Sequence, residues 1–264
     1  MEIESIELLK ALHILTRDGK LNADSRRKLK QVQHLTQLIE PLIRKLHTKH
    51  NQFDLVDVGA GKSYLGFILY DLILKKLADA HVTSIESRKE LVDRSALLAQ
   101  KSGFDRFHFI AETIEQAKTE RPIDMVAALH ACDTATDDAI LFGMRNGTKA
   151  FALVPCCQAE VARELQKMTD DPFDLHPLYE FPIHRREFGS HLTNVFRTLF
   201  LRSHGFKVTV TELVGFEHSM KNELILAEKI EGQPHAHRIR AHEDLLSLRA
   251  RFPVGMKLLD TDLS

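Results

Sequence analysis

Tryptophan is missing from this chain of 264 residues, and tyrosine is confined to Tyr64, Tyr70 and Tyr179. Stacking on single-stranded bases would therefore fall to phenylalanine. Cysteine is also scarce: Cys132, Cys156 and Cys157, an odd number with two adjacent. That pattern argues against a disulfide framework and for a reducing, cytoplasmic compartment. No apolar run reaches the roughly 20 residues of a bilayer-spanning helix. No secretory apolar segment is expected either, because Glu2, Glu4, Glu7, Lys10, Arg17 and Asp18 spread charge through the first residues. Charge of one sign is lacking too. Lys and Arg total 36 against 37 Asp and Glu, a formal net charge of −1. No overall field draws in nucleic acid, so any basic surface must be local.

What is present is a composition that can pack: 44% hydrophobic and 28% charged residues. The length suits one large α/β domain with small additions. Residues 1–50 read as helical, with stripes at Ile3, Ile6, Leu9, Leu12 and Leu15 and at Leu29, Val32, Leu35, Ile39, Leu42 and Leu46. From residue 51 to 230 short apolar runs alternate with helical stretches. Strands are expected at 53–58, 81–85, 107–110, 125–129 and 150–154. The helices between them are expected at about 64–78, 88–101, 113–118, 134–143 and 158–168. That alternation marks parallel βα units. A loop is expected over 170–190 and a helix over about 187–204. Strands at 207–214 and 223–228 then suit an antiparallel edge hairpin. Residues 231–264 form a tail with a helix near 240–251, in which His235, His237 and His242 read as solvated.

The strongest local signal is Asp57-Val58-Gly59-Ala60-Gly61-Lys62-Ser63, a strand ending in an acid and followed by a Gly-x-Gly turn and a helix start. Glycine lets the backbone turn left-handed and lets a ligand come close, and the helix start favours an anionic group. A P-loop would need glycine where Val56 stands, and a dinucleotide fingerprint would need glycine where Tyr64 stands. An ordinary turn remains the bland alternative. The following strand ends carry Glu86, Glu112, and then His130, Cys132 and Asp133. A carboxylate at the second strand end can accept both hydroxyls of a ribose. An acid at the third can meet an exocyclic amine.

With those residues in view, the chain resembles a branch of the class I methyltransferases. The resemblance rests on Asp57-x-Gly-x-Gly-Lys, Leu129-His130-Ala131-Cys132-Asp133, Ala135-Thr136-Asp137 and Pro155-Cys156-Cys157, and spans about residues 26–230. The branch includes the domain in glutathione-S-transferase-C-terminal-domain-containing proteins and the enzymes that methylate ribose 2′-hydroxyls in the tRNA acceptor stem. The resemblance implies an α/β Rossmann-like sheet of seven mostly parallel strands with an antiparallel edge hairpin, S-adenosylmethionine as donor and, in some members, an RNA substrate. By motif position Asp57, Gly59, Ala60 and Gly61 would lie at the methionine half of the donor. Glu86 would hold its ribose, Glu112 would lie near the adenine, and His130 beside the reactive methyl.

Methyl transfer is a displacement that needs an acceptor held close to the methyl, and a hydroxyl acceptor also needs a base. Asp133 or His130 is a candidate base, or a group that orients the acceptor. Cys156 or Cys157, paired with Cys132, is a candidate nucleophile towards a pyrimidine. Metal binding by the cysteines and His130 lacks a recognised spacing, and free cysteine often just packs. Lys221 and Asn222 could touch an acceptor or shape a turn. Basic residues gather at Arg26, Arg27, Lys28, Lys30, Arg44, Lys45 and Lys49, and again at His184, Arg185, Arg186, His191, Arg197 and Arg202. Such patches can follow phosphates or merely form solvated helix faces. The expected function is RNA methylation, of tRNA or rRNA. A small-molecule or protein acceptor, or a non-catalytic donor-binding module, is the alternative.

Overall fold

The computed structural model describes residues 6–11, 15, 18, 20, 22–129, 131, 133–155, 158–168, 173–213 and 223–261. The described strands are β1 (Phe53–Val58), β2 (Ala80–Ile85), β3 (Phe107–Ile110), β4 (Met125–Ala128), β5 (Ala150–Leu153), β6 (Phe206–Glu212) and β7 (Glu223–Lys229). They form one sheet in the order β3-β2-β1-β4-β5-β7-β6. Pairings are parallel from β3 through β5, and β7 runs antiparallel to both β5 and β6. This is the seven-stranded, mostly parallel sheet with an antiparallel edge hairpin expected from the sequence.

Every residue of β1, β4 and β5 is buried. Central parallel strands are covered on both faces, so β4 and β5 read as unbroken apolar runs, and β1 does so apart from Asp54 and Asp57. β6 at the edge instead carries exposed positions along its length. One face packs Leu55, Val82 and Phe107 against Phe67 and Leu69 of α3 (Tyr64–Leu72) and Leu35, Ile39 and Ile43 of α2 (Ala23–His50). The N-terminal helical segment is therefore part of the core. The opposite face packs Val56, Val126 and Phe151 against Ile140 and Phe142 of α5 (Ala135–Arg145) and Phe196 and Phe200 of α7 (Pro182–Ser203). Helix α8 (His235–Arg251) packs on α7. Among the described residues no helix is long and apolar enough to cross a membrane.

Several boundaries differ from the sequence expectation. Helix α3 stops at Leu72 and a 3-10 turn over Leu74–Lys76 follows. No helix forms over 113–118; the Thr113 carbonyl takes the amides of Gln116 and Ala117 in a single turn. Helix α7 starts at Pro182, inside the expected loop, because proline suits the first helical position. Helix α8 starts after Pro234, so His235, His237 and His242 lie on it, exposed.

The strand order fixes where a ligand sits. From β1 the chain steps outward through β2 to β3, then returns to place β4 on the other side of β1. Crevices of open α/β sheets open at the carboxyl ends of strands beside such a reversal.

Candidate active site

The turn after β1 is built from left-handed backbone. Gly59 and Gly61 have φ of 59° and 58°, where an L side chain is strained. Ser63 also adopts φ 55° and buries its hydroxyl 2.7 Å from Ser84 Oγ on β2. The Ala60 N–H donates to the Ile85 carbonyl at 3.1 Å, pinning the turn to β2. Beneath it, Asp57 Oδ2 accepts the Gly66 N–H at 3.1 Å. Gly66 fits closely there: a Cβ would come 3.0 Å from Phe107 and 3.1 Å from that same oxygen, so both neighbours would have to give by a few tenths of an ångström. Burial pushes the Asp57 carboxyl up to about 7, and the Gly66 amide offsets only part of that rise.

Glu86 follows β2 and is 6% exposed. Its Oε2 accepts the Gly61 N–H at 2.8 Å, and its Oε1 accepts the Arg88 N–H at 3.0 Å. The Arg88 side chain adds Nε to Oε1 at 2.9 Å and Nη2 to Oε2 at 3.1 Å. Burial alone would raise this carboxyl, but Arg88 and the two amides outweigh it and hold the pKa at about 2. A cleft of about 350 Å³ opens over these strand ends, lined by Gly59, Ile85, Glu86, Ser87, Glu112, Thr113, Ile114, Glu115, Ala135 and Asp138. Its size suits a small-molecule ligand. The cleft thus brings Gly59, Glu86 and Glu112 together on one side of the β1–β4 reversal.

Asp133 is engaged by the segment that follows β5. Its Oδ1 accepts the N–H groups of Ala159 (2.9 Å) and Glu160 (3.0 Å) at the start of α6 (Glu160–Lys167). Its Oδ2 meets Arg163 Nη2 at 2.9 Å. Partial burial would raise this carboxyl, yet the two amides and Arg163 together hold it below its ordinary value. A carboxylate so engaged is a poor proton acceptor; it caps the helix that follows β5. Asp133→Ala is expected to cost about 1–2 kcal/mol of stability, the usual loss for a helix cap, while leaving donor affinity unchanged. Urea unfolding and calorimetry check the two halves; a loss of donor affinity without a loss of stability would contradict this assignment.

His130, Cys132, Cys156, Cys157, Lys221 and Asn222 lie outside the described residues. Among the described residues no group of three His, Cys, Asp or Glu side chains could hold a metal.

Sequence reasoning missed a buried polar network beside the site. Arg197, expected in a surface patch, is 1% exposed, with Nε 2.6 Å from Oδ1 of the fully buried Asp137. Its Nη2 donates to the Asp133 carbonyl at 2.8 Å and its Nη1 to Asn194 Oδ1 at 3.3 Å. Gln158 joins Asn194 at 3.0 Å and Ser190 at 2.9 Å. The network ties the segments after β4 and β5 to α7. One signal was available: Asn194 and Arg197 stand three residues apart, on one face of the helix, next to the Leu192, Phe196 and Phe200 stripe.

The family model described as a methyltransferase domain matches residues 27–164, just over half of the chain. The chain belongs to this methyltransferase-domain family. The membership agrees with the donor expected from the sequence, S-adenosylmethionine. No curated protein matches the chain in sequence. Among solved structures it is similar to a magnesium protoporphyrin IX methyltransferase from Synechocystis PCC 6803 with bound S-adenosylhomocysteine. That match has 12% identity and a TM-score of 0.48, covering 85% of this chain and 93% of the other. It is similar to an S-adenosylhomocysteine-bound methyltransferase from Podospora anserina, at 12% identity and a TM-score of 0.47, covering 85% and 88%. It is also similar to an rRNA methylase from Streptococcus thermophilus, at 12% identity and a TM-score of 0.42, covering 69% and 89%.

Proposed function

We propose that this methyltransferase uses S-adenosylmethionine to methylate RNA, either tRNA or rRNA. The observation that carries the donor is the convergence of Gly59, Glu86 and Glu112 on one cleft at the carboxyl edge. The donor fits this chemistry: bare left-handed glycines allow close approach, and the two oxygens of Glu86 match the two hydroxyls of a ribose. Glu112 would face the adenine amine, and Asp57 would support the turn from below through Gly66. When bound, the sulfonium supplies an electrophilic methyl. The chain's own work is to orient it and to hold an acceptor in line. His130, Cys156 and Cys157, which follow β4 and β5 in the sequence, are proposed to act on the acceptor. Asp133 acts there as a positioning residue, fixing the β5–α6 junction.

RNA as acceptor rests on the resemblance carried by Leu129-His130-Ala131-Cys132-Asp133 and Pro155-Cys156-Cys157. The exposed Arg186 and Arg202 on α7 add local cationic surface. The test is transfer of labelled methyl to RNA from cells lacking the gene, followed by nucleoside mass spectrometry. One labelled nucleoside is expected, with activity that falls as salt rises because phosphate contacts weaken. Label appearing only in protein or small-molecule fractions would replace RNA with those acceptors. No transfer to any fraction, with the donor bound, would leave a binding module.

A further inference from the structure

We propose that Arg88 is a displaceable stand-in for the donor's ribose, occupying the Glu86 carboxylate until the donor takes it over. This rests on the ribose role proposed for Glu86. A carboxylate offers about four acceptor directions. Those of Glu86 are filled: Oε1 by the amide and Nε of Arg88 and, at 3.4 Å, by the Ser87 hydroxyl; Oε2 by the amide of Gly61 and Nη2 of Arg88. Two ribose hydroxyls have no room to add to that set, so two donors must leave.

The two amides are fixed, one in the glycine turn and the other at the start of α4 (Lys89–Lys101). The Arg88 side chain is not fixed. It is 60% exposed, against 6% for Glu86, and among the described residues its guanidinium bonds only Glu86. Its departure into water is cheap, whereas an unpaired Glu86 would be costly in an empty cleft. The shapes match as well. A guanidinium edge presents two parallel N–H donors to a carboxylate, and a vicinal diol presents two O–H donors to the same oxygens. Nη2 also lies 3.9 Å from where a Cβ on Gly61 would stand, so the guanidinium covers the bare backbone of the turn. Donor binding is therefore an exchange, and part of its gain is spent in expelling Arg88.

The consequence runs against the usual effect of removing a side chain from a binding cleft. By calorimetry with S-adenosylhomocysteine, which has no sulfonium charge to complicate the comparison, Arg88→Ala is expected to bind about fivefold tighter than wild type. Wild-type affinity should rise with added salt as the ion pair is screened, and that rise should be missing in the variant. Arg88→Gln, which keeps the stem but not the charge, guards against a local change in α4. Glu86→Ala is the control for the ribose role and is expected to weaken binding. If Glu86→Ala weakens binding but neither Arg88 variant strengthens it, the stand-in role is overturned and the ribose role survives. If Glu86→Ala leaves affinity unchanged, the ribose role falls and the stand-in role falls with it.

Discussion

Arg197→Met will destabilise this protein by about 3–5 kcal/mol, the usual cost of removing one partner from a buried ion pair. The guanidinium and the Asp137 carboxylate are both buried, 2.6 Å apart, and Asp137 Oδ2 has no hydrogen-bond partner among the described residues. Burial already pushes the Asp137 carboxyl above its ordinary value; Arg197 opposes that rise, while Asp138 and Asp133 add to it. With Arg197 gone, the opposing cation is lost and the folded-state pKa climbs further. A raised carboxyl binds its proton more readily when folded than when unfolded, so stability declines as pH rises through that window. The loss from Arg197→Met should therefore be larger at pH 8 than at pH 5. The double variant Arg197→Met with Asp137→Asn should recover much of it, since no charge is then left buried alone. Urea unfolding of the two single variants and the double variant at both pH values measures this. A single-variant loss below about 1 kcal/mol, typical of a surface pair, would show that the pair is not buried in solution.

Arg197 also marks the boundary of what the sequence made legible. The sheet could be read because β4 and β5 are unbroken apolar runs and β1 is one apart from Asp54 and Asp57. The glycine turn and the acids after β2 and β3 could be read because they are local features at strand ends. Asp133 could not, because the amides it caps lie 26 and 27 residues later, at Ala159 and Glu160. Arg197 read as surface because cations gather in its stretch of sequence, yet its place on α7 turns it toward Asp137. The 113–118 stretch has helix-compatible residues but closes only a single turn on the Thr113 carbonyl. Pro182 had the opposite effect: it read as a loop marker and is the first residue of a 22-residue helix. Local chemistry was visible, whereas a side chain whose partner lies far along the chain was not.

Asp57→Asn will stabilise the fold, and by more at high pH than at low. The Asp57 carboxyl is 1% exposed and, among the described residues, its one hydrogen bond comes from the Gly66 amide. Burial raises it from 3.8 to about 7. Because its folded pKa lies above its unfolded value, the folded chain holds the extra proton between those limits. Stability therefore falls as pH rises across them, and the full penalty is reached above about 7. Asparagine keeps an oxygen for Gly66 and has no charge to bury. Its gain over wild type should be on the order of 2 kcal/mol greater at pH 8 than at pH 5. Donor binding should move the other way. The proposed donor carries an ammonium and a sulfonium, and a cation above the turn favours the ionised form of Asp57. Wild-type affinity for S-adenosylmethionine should then rise with pH up to about 7 and level off, while that of Asp57→Asn stays lower and flatter. A natural chain would thus keep a destabilising buried acid because it serves the ligand. Thermal unfolding and calorimetry from pH 5 to pH 8 decide it. Wild type and variant losing stability in parallel across that range would place the titration of Asp57 elsewhere, and with it the charge proposed to draw the donor to the turn.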